Sequence, residues 1–314
     1  WVMSPSQDET LMNPNFDPST SVEDQIAIYF VHGTADRAYS LKALAEALIK
    51  KGLPPQISAL RLLSFEQRFR GLGIDEFKNQ LSNKVKRYQE KKIIEITFSR
   101  GSLQGAAAAA DLVSIPNNSE IQTIANFFLA GPFMGSNPLF SPLQYISDSV
   151  RDMQTNSEFL QNLHPQMEQG DTFNCFLGGE LDALVGKGQE FVPLKRAFFH
   201  HELKGHGHLS LPTSSKVALI IHTLIHLLLD PKSKSELLCD LEVEWAEKMK
   251  DFIHIAGQDH NQVNSNLHQK DEPDILGEQQ VSNLGFFSIP KPPPATAEDE
   301  LCFSDDKPPS LSTT

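Results

Sequence analysis

Apolar residues along this chain fall into two alternating patterns. Short apolar runs such as 25–34 (QIAIYFVHGT), 56–65, 93–98 (IIEITF), 121–131, 172–179 and 196–203 have strand length and β-branched or aromatic content. Between them lie segments with helical spacing. Residues 40–52 place Leu41, Leu44, Ala45 and Leu48 on one face, with Ser40 expected as N-cap and Gly52 as the stop. Residues 73–92 place Phe77, Leu81, Val85 and Tyr88 near one face, and 103–113 is an alanine-rich helix. Residues 214–230 form a long apolar helix pattern, and a further one follows to about 256. Strands that are apolar throughout are buried on both faces. Strand and helix patterns that alternate about five times therefore predict a mostly parallel sheet covered by helices on both sides.

The pattern also divides the chain. Residues 1–24 are rich in Ser, Pro, Asp and Asn without period and read as a loose arm, and 25–256 carry the alternation. After Gly257 periodicity fails, and PKPPP and DDKPPS punctuate a polar tail expected to be disordered. An excursion of roughly 40 residues, at 133–170, exceeds an ordinary connection and is expected either to cap the site or to supply one ordinary covering helix and extra surface. In the cap reading, Phe133, Met134, Leu139 and Phe140 line an apolar pocket beneath it.

Composition narrows the function. The 314 residues carry a net charge of -13, which argues against sequence-independent binding of nucleic acid or anionic membrane. Residues 257–314 hold 10 acidic and 3 basic residues, so the tail supplies 7 of the 13 excess negative charges and is a candidate protein-binding segment. The three cysteines have no metal-ligand or disulfide spacing. His222 and His226 lie at i and i+4 without the glutamate of a zinc helix, so they read as packed core histidines, and neither metal nor organic cofactor is expected. No apolar run is long enough to span a membrane. No secretory signal is visible.

The chemistry concentrates at 91–105, KKIIEITFSRGSLQG. A nucleophile elbow puts serine on a sharp turn between strand and helix, and the reversal demands small residues two before and two after it. Around Ser99 these are Thr97 and Gly101; around Ser102 they are Arg100 and Gln104, both long. Sterics therefore select Ser99 and place Ser102 in the first helical turn. Thr97 fits least well.

TFSRGSLQGAAAAADL resembles the GFSRGA elbow and alanine-rich helix of a group of bacterial serine α/β-hydrolases, among them lipase-like and phospholipase effectors delivered by secretion systems. IYFVHGT resembles the strand and Gly-Thr segment near the start of those domains. The likeness extends in arrangement over 25–230, with Thr97 and Gly131 departing from it. It implies an α/β-hydrolase fold and hydrolysis of a carboxylic ester, a lipid among the candidates. It also implies a protein that is cytoplasmic or delivered into a host cell.

The order of that fold is serine, then acid, then histidine. FLGGELDALVG offers Asp182, with Glu180 the near alternative, and LKGHGHLSLP offers His208 ahead of His206. An oxyanion hole needs two backbone amides. One is expected from Arg100, the other from Gly33 or Thr34 in the loop after the first apolar strand. The rival expectation is a catalytically inactive hydrolase fold that binds protein; thioester or peptide chemistry is a further alternative.

Overall fold

The structure is a computed structural model that describes residues 7–34, 36–65, 71–114, 121–136, 147–169, 172–192, 194 and 198–229. Seven strands form one sheet: β1 (Glu9–Met12), β2 (Ile26–Val31), β3 (Ile57–Leu63), β4 (Lys92–Phe98), β5 (Gln122–Leu129), β6 (Phe173–Gly179) and β7 (Phe198–Leu203). Their order is β1-β3-β2-β4-β5-β6-β7, all parallel except β1, which runs antiparallel to β3. The helices are α1 (Lys42–Lys51), α2 (Ile74–Tyr88), α3 (Arg100–Ser114), α4 (Asp148–Asp152), α5 (Glu158–Met167) and α6 (Ser215–Leu229).

Every residue of β2 and β6 is buried, as expected for strands with helices on both faces. One face carries Ile28, Phe30, Ile94, Ile96 and Phe127 against Leu44 and Leu48 of α1 and Ile220, Ile221 and Leu224 of α6. The other carries Phe128 and Phe176 against Leu103, Ala106 and Ala107 of α3 and Leu160 and Leu163 of α5. Tyr29, Val31 and Ile93 on that same side meet Phe77, Leu81 and Val85 of α2. The alanines of α3 lose no side-chain entropy on burial and let the helix lie close to the sheet.

Three local expectations change. The first 24 residues are not wholly a loose arm: Glu9–Met12 pairs along β3, and Asp8 binds Lys84 Nζ through both carboxylate oxygens. The ladder with β3 and the ion pair hold a segment whose four residues show no usable period. Ser40 does not cap α1. It lies in a 3-10 turn (Ala38–Leu41) that leads into the helix, where its hydroxyl donates to Arg37 O, and Leu41 occupies the cap position. The helix expected at 103–113 begins at Arg100, directly after the serine. The helix after 230, the tail from 257, and Leu139 and Phe140 lie outside the described residues.

Strand order reverses between β2 and β4. β3 lies to one side of this pair and β5, β6 and β7 to the other. In open parallel sheets the crevice at the carboxyl ends of such a pair is the usual ligand site.

Candidate active site

The loop after β2 and the turn after β4 meet at that crevice. Ser99 is the one residue between the end of β4 and the start of α3, and its φ of 55° lies in the left-handed region. That conformation costs a non-glycine residue about 1–3 kcal/mol and persists only where the surroundings impose it. Ser99 N donates to Leu129 O at 2.8 Å and Ser102 N donates back to Ser99 O at 2.9 Å, so β5 and the first turn of α3 clamp the elbow.

The close approach explains the glycines. A Cβ on Gly101 would stand 2.6 Å from the carbonyl oxygens of both Val31 and His32, and one on Gly33 would stand 3.0 Å from Ser99 Cβ. Thr97, two residues before the serine, keeps an ordinary strand position in register with Val31 and Phe128. Its hydroxyl donates to Phe127 O at 3.3 Å or to Ser102 Oγ at 3.2 Å, and its methyl faces Gly105, where a Cβ would lie 2.8 Å from Thr97 Cγ2. The space that a glycine would leave on the strand is left instead on the helix. Gly131 is similarly explained: a Cβ there would fall 2.6 Å from both Ser102 Cβ and a ring carbon of Phe133, so no acidic side chain fits.

The imidazole of His208, which opens a 3-10 turn after β7, reaches the serine from the other side. Ser99 Oγ and His208 Nε2 are 3.0 Å apart, and His208 Nδ1 and Asp182 Oδ2 are 2.7 Å apart. Asp182 Oδ1 accepts the amides of Leu184 at 2.9 Å and Val185 at 3.0 Å. Burial works to raise the Asp182 carboxyl, but the His208 hydrogen bond and the two amides outweigh it, and the group lies below the ordinary carboxylate range. An ionised carboxylate only accepts, so Nδ1 carries a proton, and in the neutral imidazole Nε2 is left to accept the Ser99 hydroxyl. Phe98 packs against the imidazole, with ring centroids 4.9 Å apart.

The alternatives are placed elsewhere. His206 Nδ1 and Nε2 lie by Lys204 O and Ser214 Oγ, and Glu180 accepts the Gly205 amide, so both residues brace the loop. Ser102 is fully buried against Thr97. His222 and His226 each place Nε2 within 2.9 Å of Gly52 O at the end of α1. Among the described residues no group of three or more His, Cys, Asp or Glu forms a metal site.

Above Ser99 lies a cavity of about 420 Å³. Gly33 and Thr34 edge it, and Phe98, Val150, Met153, Leu184 and Leu209 give it an apolar wall. Arg100 is the first residue of α3, so its amide lacks an intrahelical partner and belongs to the positive end of the helix. The Arg100 guanidinium turns inward and lies 3.8 Å above the Phe77 ring, leaving only its backbone near the site. The expected pocket lining is corrected at Phe133, which is fully buried in a ring cluster with Phe128 and Phe176. Its neighbour Pro132, Val150 of α4 and Met153, the residue that caps α4, line the cavity instead. The polar-rich sequence around α4 gave no signal for that.

No family model and no curated protein matches the chain in sequence. Solved structures do match in shape. The mature form of Bacillus licheniformis lipase BlEst2 is 15% identical over 71% of this chain and 99% of its own, with a TM-score of 0.53. Its propeptide form is 17% identical over 72% of this chain and 54% of its own, with a TM-score of 0.51. Legionella pneumophila phospholipase PlaB is 14% identical over 80% of this chain and 66% of its own, with a TM-score of 0.47. The likeness to the BlEst2 forms, with the parallel sheet and its order, defines the fold as that of the α/β-hydrolases. Among the described residues no helix is long and apolar enough to cross a membrane.

Proposed function

We propose that this protein is a serine hydrolase that cleaves a carboxylic ester through an acyl-enzyme. The observation that carries the reading is the hydrogen-bonded line Ser99–His208–Asp182, with Ser99 at a left-handed turn on the floor of an apolar cavity. In the reading, Ser99 Oγ attacks the ester carbonyl while His208 Nε2 takes its proton, and Asp182 holds the tautomer and stabilises the imidazolium. The amides of Arg100 and of Gly33 or Thr34 receive the oxyanion. The tetrahedral intermediate expels the alkoxide, which takes the proton from His208. Water then attacks the acyl-enzyme, His208 again acting first as base and then as acid, and releases the carboxylic acid. The apolar wall suits an acyl chain, and the similarity to a lipase fold agrees with that substrate class. Thr97 and Gly131 are accommodated by packing, so neither favours an inactive binding module.

A fluorophosphonate probe, which reacts with activated serines, tests the reading. Wild type is expected to label at Ser99 and Ser99→Ala not at all, with unchanged thermal unfolding. Equal labelling of the two proteins would sink it. A series of esters and thioesters of rising acyl length then assigns the chemistry.

A further inference from the structure

Among the described residues that line the cavity over Ser99, one ionic group is not used by the triad. Asp36, half-buried in the loop after β2, lines the cavity beside Gly33 and Thr34. Its Oδ1 accepts the Arg37 amide at 2.9 Å, and among the described residues no lysine or arginine side chain pairs with the carboxylate. Among the described residues that line the cavity there is no lysine or arginine. Asp182, the triad's own carboxylate, is engaged by His208 and two amides.

Such a charge is a liability for the reaction. Negative charge develops on the carbonyl oxygen in the transition state, and a carboxylate in the same cavity repels it. The apolar wall lowers the local dielectric, so the repulsion is felt more strongly than in open water. The same carboxylate repels any substrate that is itself anionic. A substrate that carries a cation reverses the sign, because its positive group neutralises Asp36 while the oxyanion forms.

We propose that Asp36 is a specificity-determining residue that selects esters carrying an ammonium group over their neutral isosteres and rejects esters carrying an anion. The proposal rests on the reading of Ser99 as the nucleophile of an ester hydrolase, and it names the substrate class of that site.

Three matched butyrate esters test it on the full chain: those of choline, of 3,3-dimethylbutanol (its neutral isostere) and of 3-hydroxypropanoate. Release of butyric acid gives kcat/KM for each. Wild type is expected to favour the choline ester over the neutral one by about threefold to tenfold, and the neutral over the anionic by a similar factor. The spread is expected to shrink in about 0.5 M salt, as electrostatic discrimination should and steric discrimination should not. Asp36→Asn is expected to bring the three values within about twofold, and Asp36→Glu to keep their order. Three wild-type values within twofold of one another, or a spread that survives in Asp36→Asn, would overturn the proposal. Turnover of none of the three while Ser99 still labels would also overturn it and leave the nucleophile standing. Loss of labelling itself would remove the reading beneath it.

Discussion

Replacing Glu95 by glutamine is expected to stabilise the protein increasingly as pH rises. Glu95 stands in β4 between Tyr29 of β2 and Asn126 of β5, fully buried beneath α3. A Cβ on Gly105 would lie 2.6 Å from its Oε2, and among the described residues neither carboxylate oxygen has a hydrogen-bond partner. Burial pushes this carboxyl from 4.5 up to about 8. The folded protein therefore holds a proton that the unfolded chain releases above about pH 4.5. Stability linked to this group is complete below that pH, falls through the window up to about 8, and is level beyond it. At 1.36 kcal/mol per unit, the loss reaches about 3 kcal/mol at pH 7 and about 5 kcal/mol above pH 8. Glutamine keeps the shape and does not titrate. Urea unfolding of wild type and Glu95→Gln at pH 5, 6, 7 and 8 measures the difference, provided the m-values agree. The variant's advantage is expected to grow by about 1.4 kcal/mol per unit between pH 5 and 7. A difference that stays constant from pH 5 to 8, or one that shrinks as pH rises, would refute the assignment of a buried neutral carboxyl.

Two further substitutions probe the elbow. Gly101→Ala drives a methyl into the Val31 and His32 carbonyls, which as backbone atoms cannot turn away; a loss of about 2–3 kcal/mol in urea unfolding and slower Ser99 labelling are expected. Gly105→Ala presses on Thr97 and Glu95 and should cost about 1–3 kcal/mol, part of which Thr97→Ser restores by removing the facing methyl; additive effects in the double mutant would show that the two residues do not share one space.

Much of this architecture is legible along the chain because it rests on local rules. Apolar runs without alternation announced strands buried on both faces, and β2 and β6 are buried at every position. Small residues around one serine and long ones around the other separated Ser99 from Ser102, since a sharp reversal is a demand on immediate neighbours. The segments bearing Asp182 and His208 were legible as loops at strand ends. The convergence of their side chains on Ser99 was not, because residues 83 and 109 positions away meet it only through the strand order. β1 was missed because four residues have too short a pattern, and its place comes from the ladder with β3. Thr97 looked like a misfit because its compensation, Gly105, stands eight residues on and faces it only when α3 lies down on β4. Phe133 looked like pocket lining and is core, while Val150 and Met153 form the wall. Periodicity states that a residue is buried. Which neighbours bury it is decided by packing between elements distant in the sequence.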